Sequence, residues 1–272
     1  MAIKPELVPN SDVETMPLVR VSIEHGTEGL LQRLQADLGR VGLADNELIR
    51  DSLALGLDLH SSDKRSYEPY SGHLLRTPIR LIEDFGITDP EMIAAEPLHD
   101  TIEDHAEELI RRFLNVPVPV DPKERRVLAR QALQIFADKY GAKDLSRIVW
   151  DVSTPVRPSN VPKIPHYLGH TAHTVVFGDP KSSAAKTVDF TDNVDTPIDM
   201  EKPEKRAYLD AKQIGAYALH IAGLQREDGI VPPEFRDRMV ELLKQKKAEA
   251  RARLVARGVL GITPSVNSLR TA

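Results

Sequence analysis

Leu30, Leu31, Leu34 and Leu38 recur at the spacing that lays side chains along one face of an α-helix. The same period returns through most of the chain and leaves little room for a sheet. It predicts a helix over residues 27–39 and a second running from an Asp45 cap to Leu59, with Leu48, Ile49, Leu53 and Leu57 inward. A third carries Leu74, Leu75, Ile79 and Ile82. In GITDPE, Thr88 or Asp89 can cap and Pro90 suits the first turn of a helix that runs through Met92, Ile93 and Leu98. A further helical run covers 101–114, until the Pro-rich stretch NVPVPVDP breaks it. Helices then follow over 123–140, 144–151, 204–224 and 233–257. Strand signals are few, so the expectation is an all-α fold.

Three parts are expected along the chain. Residues 1–26 form an N-terminal arm, loosely ordered at least to Met16. Residues 27–225 form one helical domain. Residues 226–272 form a C-terminal helical extension and a flexible tail. Within the domain, STPVRPSNVPKIPHYLGH reads as a long Pro-rich loop, and His166, His170 and His173 fall in it or at its end. A loop of that length is usually functional. The last helix, rich in Lys, Arg and Glu, is a surface or partner helix and the candidate contact for a homo-oligomer.

Composition excludes several functions. The 272 residues are 41% hydrophobic and 28% charged with net charge −5, which does not suit a nucleic-acid binder. With no cysteine, a metal would have to be held by His and carboxylate, a donor set suited to Mn, Fe, Zn or Mg. The start of the chain is polar and acidic, without the pattern of a signal peptide, and no window is apolar enough for a membrane span. The expected location is cytoplasmic.

The stretch EPLHDTIED concentrates five ionisable residues in nine. On a helix His99 and Asp100 stand about 100° apart and can reach one ion, while Glu103 and Asp104 follow one turn later. Carboxylates there can orient or deprotonate a water on the ion. Further ligands have to come from other segments. Upstream, His60 and His73 bracket a polar loop. Downstream, Asp189 lies between Val188 and Phe190, where an unpaired carboxylate is costly unless it meets a cation.

Taken together, these segments resemble the HD-domain phosphohydrolases, and among them the hydrolase domain of the RelA/SpoT-type alarmone enzymes. KRSYEPYSGH is similar to that family's R-S-G-E-P-Y-x-x-H, with Arg65, Ser66, Glu68, Pro69, Tyr70 and His73 in register. LHDTIED matches its L-H-D-x-x-E-D, and AKTVDFTDN resembles its K-L-A-D-R-L-H-N through Lys186, Asp189 and Asn193. The resemblance covers roughly residues 51–195. It implies an HD-type helical fold and a divalent metal, commonly Mn²⁺, on His73, His99, Asp100 and Asp189. It also implies water-directing carboxylates at Glu103 and Asp104, and a nucleotide substrate bound by Arg65, Lys64, Tyr70 and Asn193. The implied reaction removes the 3′-pyrophosphate from guanosine tetra- or pentaphosphate, in the manner of a small hydrolase-only alarmone enzyme.

Several positions depart from the family pattern. LHSSDKR stands where A-H-x-G-Q is usual, so His60 is kept and the Gly-Gln pair is not. Tyr67 replaces a Gly, Leu74 a Pro, and Phe190, Thr191 and Asp192 replace R-L-H. These changes spare the metal ligands and fall on the substrate wall. The alternatives are therefore an HD-type nucleotidase or dNTP triphosphohydrolase, and a non-catalytic HD-fold nucleotide-binding protein.

Overall fold

The computed structural model describes residues 11–65, 68–195 and 203–258. The expected flexible tail and the first ten residues of the expected arm lie outside the described residues, as do Ser66 and Tyr67. The fold is all-α. The helices are α1 (Ser11–Thr15), α2 (Leu18–Arg40), α3 (Glu47–Leu59), α4 (Tyr70–Glu83), α5 (Pro90–Ala95), α6 (Thr101–Asp104), α7 (Ala106–Phe113), α8 (Pro122–Asp138), α9 (Leu145–Val152), α10 (Lys163–Val175), α11 (Pro180–Asp195), α12 (Pro203–Leu224) and α13 (Pro233–Ala256). A short 3₁₀ turn, Glu96–Leu98, links α5 to the His-Asp pair. Among the described residues no helix is long and apolar enough to cross a membrane.

Helix ends follow local chemistry. Asp89 caps α5 by accepting the N–H groups of Glu91 and Met92, and Pro90 fills the first position. At α3 the cap is Asn46, not Asp45: its side chain accepts from the Ile49 N–H at 3.1 Å. The described part of the expected arm is helical. Val13 and Val21 are buried, and α2 begins at Leu18, eight residues before Gly26 bends it. Gly26 has φ 59°, in the left-handed region that favours glycine.

A larger difference concerns the Pro-rich segment. Only its first part is a loop, because α10 starts at Lys163 and carries His166, His170 and His173. Pro165 falls in the first turn, where no intrahelical N–H bond is lost. The helical run expected over 101–114 is also broken. His105 has φ −126° and ψ 26° and separates α6 from α7.

At the centre lies α4, buried from Gly72 to Ile82. It packs on α2 and α11, with α3 and the Glu96–Leu98 turn against its other sides. Helices α9 and α10 flank α11, and α12 joins α10 to α13. The last helix is not wholly solvated: Met239, Val240, Leu243 and Leu254 are buried. Gly56 brings α3 onto the turn before His99, where an added Cβ would sit 2.2 Å from the Pro97 carbonyl oxygen. Gly56→Ala is therefore expected to cost about 1–3 kcal/mol and to push His99 out of place. Urea unfolding and metal affinity measured together check both effects, and a neutral substitution would contradict the close approach.

His220 on α12 stacks on Phe190 at 4.1 Å, and its Nδ1–H donates to the Thr187 hydroxyl at 3.0 Å. Burial pulls its pKa down to about 3. The folded imidazole stays neutral, while the unfolded one takes a proton below its ordinary value of ~6.5. Its contribution to stability is whole above that pH and is lost as pH falls toward the folded value, by about 2–3 kcal/mol at pH ~4.5. His220→Phe is expected to move the midpoint of acid unfolding to lower pH, and an unchanged acid limb would refute this assignment.

Candidate metal centre and cleft

Three segments meet where α4 faces α11. His73 projects from α4, Asp189 and Asn193 from α11, and His99 and Asp100 from the turn that follows Glu96–Leu98. Donor atoms of His73, His99 and Asp189 all lie within 4.8 Å of one another. The two Nε2 atoms are 3.1 Å apart, and Asp189 Oδ1 stands 3.5 Å from His73 and 3.7 Å from His99. Asp100 adjoins this group through His99, with Oδ2 at 3.0 Å from Nε2. All of this is buried or nearly so: His73 is 0% exposed and His99 3%.

The outer nitrogens determine what the inner ones can do. His99 Nδ1 faces the Glu96 carbonyl oxygen at 2.6 Å, an acceptor only, so Nδ1 carries the proton. His73 Nδ1 donates to Asp192 Oδ2 at 2.8 Å. Both Nε2 atoms therefore offer lone pairs to one point, an arrangement that orients imidazoles toward a metal. Two such lone pairs at 3.1 Å repel unless a proton or a metal ion lies between them. Burial opposes charge on His99, yet Asp100 and Asp189 outweigh it and raise its pKa to about 10, so a metal ion that takes the Nε2 lone pair displaces a proton from it. Donor edges of 3.1–3.7 Å suit bonds of ~2.0–2.2 Å to a shared divalent ion, for which tetrahedral edges are ~3.3–3.6 Å. Residues of the required types, with their lone pairs aimed inward, thus form a site that could hold a metal ion.

Asp192 anchors the group. It is 0% exposed, and its two oxygens accept from His73 Nδ1, from Arg76 at 2.9 and 3.0 Å and from Arg80 Nε at 2.9 Å. Burial disfavours its charge, but Arg76, His73 and Arg80 hold its carboxyl well below the usual range. Arg76 in turn takes both oxygens of Glu68 at 2.7 Å. Sequence reading treated Asp192 as a departure on the substrate wall; here it orients His73 through a buried ion network. The signal that could have found it is on α4, where His73, Arg76 and Arg80 occupy i, i+3 and i+7 in an otherwise apolar helix.

The remaining expected site residues fall in two places. Tyr70 opens α4 and its hydroxyl donates to Asp100 Oδ2. Arg65 donates to Asn193 Oδ1 at 2.8 Å and lies over the Tyr70 ring. Asn193 in turn donates to Asp189 Oδ1 at 2.6 Å, and Lys186 Nζ to Asp189 Oδ2 at 3.1 Å. Lys64 is exposed, in a backbone bridge with Pro69. Glu103 and Asp104, by contrast, line a cleft of about 730 Å³ between α6–α7, the 154–157 loop, α10 and α12. Glu103 accepts the Thr154 backbone N–H. Burial, then the charge of Asp100, raises its pKa to about 7. The Pro-rich segment thus contributes to this cleft through Arg157, Lys163 and His166.

The cleft is rich in cations that the sequence pattern did not single out: Arg111, Arg125, Arg126, Arg157, Lys163 and Lys212. Arg111 and Arg125 pair with Glu107. Arg157 donates to the Pro158 and Val161 carbonyls and Lys212 lies over the Tyr167 ring, and among the described residues neither they nor Lys163 have a carboxylate within salt-bridge distance. Arg126 is mostly buried, and its Nη2 has no hydrogen-bond partner and lies 4.0 Å from Glu103. No protein-family model, curated protein or solved structure matches this chain.

Proposed function

We propose that this protein is a metal-dependent phosphohydrolase of nucleotides that carry a pyrophosphate, and that its leading substrate is a guanosine tetra- or pentaphosphate, losing the 3′-pyrophosphate. The observation that carries this reading is the cleft. Cations without carboxylate partners face the carboxylates Glu103 and Asp104 beside an inward-pointing His/Asp cluster. A polyanion fits such a wall, and a guanidinium such as Arg126 with an unused N–H matches a phosphate oxygen. The resemblance of LHDTIED and its partner segments to the HD-domain enzymes supports the same assignment.

A divalent ion, Mn²⁺ in this proposal, would be held by His73, His99 and Asp189 with Asp100 beside them, and would supply Lewis acidity at a phosphoryl oxygen. The side chains do the rest. Glu103, with a pKa raised to about 7, is poised to take the proton of the attacking water, and Asp104 orients that water. Arg126, Arg157, Lys163 and Lys212 offset phosphate charge, which grows toward the transition state. Tyr70 fixes Asp100, while Lys186 and Asn193 fix Asp189. Arg65 is held by Asn193, which in turn bonds Asp189.

The test is a product assay with Mn²⁺ on guanosine tetraphosphate, its adenosine counterpart, GTP, dGTP and AMP. Pyrophosphate released from the 3′-pyrophosphorylated nucleotides alone is expected. Triphosphate from dGTP or orthophosphate from AMP would replace the alarmone assignment with a nucleotidase or triphosphohydrolase. Nucleotide binding with metal present and no product would overturn the hydrolase reading.

A further inference from the structure

A second cluster of metal-ligand type lies outside the centre described above. His60 follows the C-terminus of α3, Asp63 sits in the loop after it, and His105 occupies the break between α6 and α7. Their three donor atoms form a small triangle. His60 Nδ1 and His105 Nε2 are each 2.8 Å from Asp63 Oδ2 and 3.1 Å from each other. For three donors at right angles around one ion, each edge is √2 times the bond length, or ~2.8–3.1 Å for bonds of ~2.0–2.2 Å. The observed edges match one such face. The group shares no residue with the first cluster. The Tyr70 ring stands between them, stacked on His60 at 4.7 Å and edge-on to His73 at 5.6 Å.

We propose that His60, Asp63 and His105 form a second, separate transition-metal site at the rim of the cleft. Two imidazoles and one carboxylate suit Mn, Fe, Co, Ni or Zn in their divalent states. His60 is buried and faces the triangle with Nδ1, while its Nε2 has no hydrogen-bond partner. Asp63 and His105 are partly exposed, and His105 also lines the cleft, so an ion can enter from that side. Three protein donors leave further positions for water or for an anionic group in the cleft. His105 sits at the backbone break between α6 and α7, and its imidazole meets both Asp63 and His60. An ion here ties the loop bearing Lys64 and Arg65 to the segment bearing Glu103 and Asp104. This site does not depend on the hydrolase reading, because it is tested by binding alone.

The experiment is equilibrium dialysis of the full chain, stripped with chelator, against Co²⁺. Two ions per chain are expected for the natural sequence. His105→Gln and Asp63→Asn should each leave one ion, held by the first cluster. His99→Gln should also leave one, held by the second, and the His99→Gln/His105→Gln pair none. In the unsubstituted chain, diamagnetic Zn²⁺ should shift the ring-proton resonances of His60 and His105 as well as those of His73 and His99. If Asp63 only accepts an N–H from each imidazole, the chain takes one ion, His105→Gln leaves that number unchanged, and the His60 and His105 resonances stay unmoved. Any of those results would overturn the proposal.

Discussion

Asp192→Ala is expected to destabilise the protein by about 3–5 kcal/mol, the cost of leaving buried charges without their partner. The carboxylate it removes accepts from two guanidiniums and one imidazole, all within 3.0 Å. Arg80 would keep Asp84 and Asp195, and Arg76 would keep Glu68. His73 would keep nothing on Nδ1, so its tautomer and ring orientation would be free to change. Metal affinity is therefore expected to fall together with stability, although Asp192 does not touch the ion. Urea unfolding in chelator and metal titration at low temperature separate the two effects. A loss under about 1 kcal/mol, the scale of a surface ion pair, would show that the network is not the anchor described here.

Glu103→Gln is expected to lower turnover about 10²–10⁴-fold while metal binding stays at the level of the natural chain. The amide keeps the shape of the side chain and an oxygen for the Thr154 N–H, and it loses only the basic site. Asp189→Asn and Asp100→Ala should behave differently and lose metal and activity together. Asp189 lies in the donor triangle and Asp100 against His99. Dialysis for metal and a single-substrate rate assay on the three variants give the pattern. Metal lost in Glu103→Gln, or retained in both Asp189→Asn and Asp100→Ala, would exchange the roles assigned to these carboxylates.

The candidate ligands were legible because a metal site needs a few residue types, and this chain holds few of them in apolar surroundings. Asp189 between Val188 and Phe190 is such a case: the structure buries it among Lys186, Asn193 and two histidines. The cleft was not legible. Arg126, Lys163 and Lys212 belong to three helices far apart in sequence, and each alone reads as an ordinary surface cation. Nor did Asp192 declare itself, since an Asp two residues after Phe190 carries no mark of the arginines that reach it from α4.

Local rules decided the all-α class, most helix positions and the Asp89 cap, because apolar spacing and capping act within a turn or two of the chain. They also made LHDTIED a candidate ligand stretch. Local pattern misread the segment after residue 153, where prolines suggested a loop and Pro165 instead fits the first turn of α10. Only tertiary structure could decide that His73 and His99 aim their Nε2 lone pairs at one point, because that depends on acceptors supplied by α11 and by the Glu96 carbonyl. Packing likewise turned His105 toward His60 and Asp63 and gathered cations from α7, α8, α10 and α12 around Glu103. Such convergence arises from contacts between residues more than a hundred positions apart, such as His73 and Asp192, which no local period encodes.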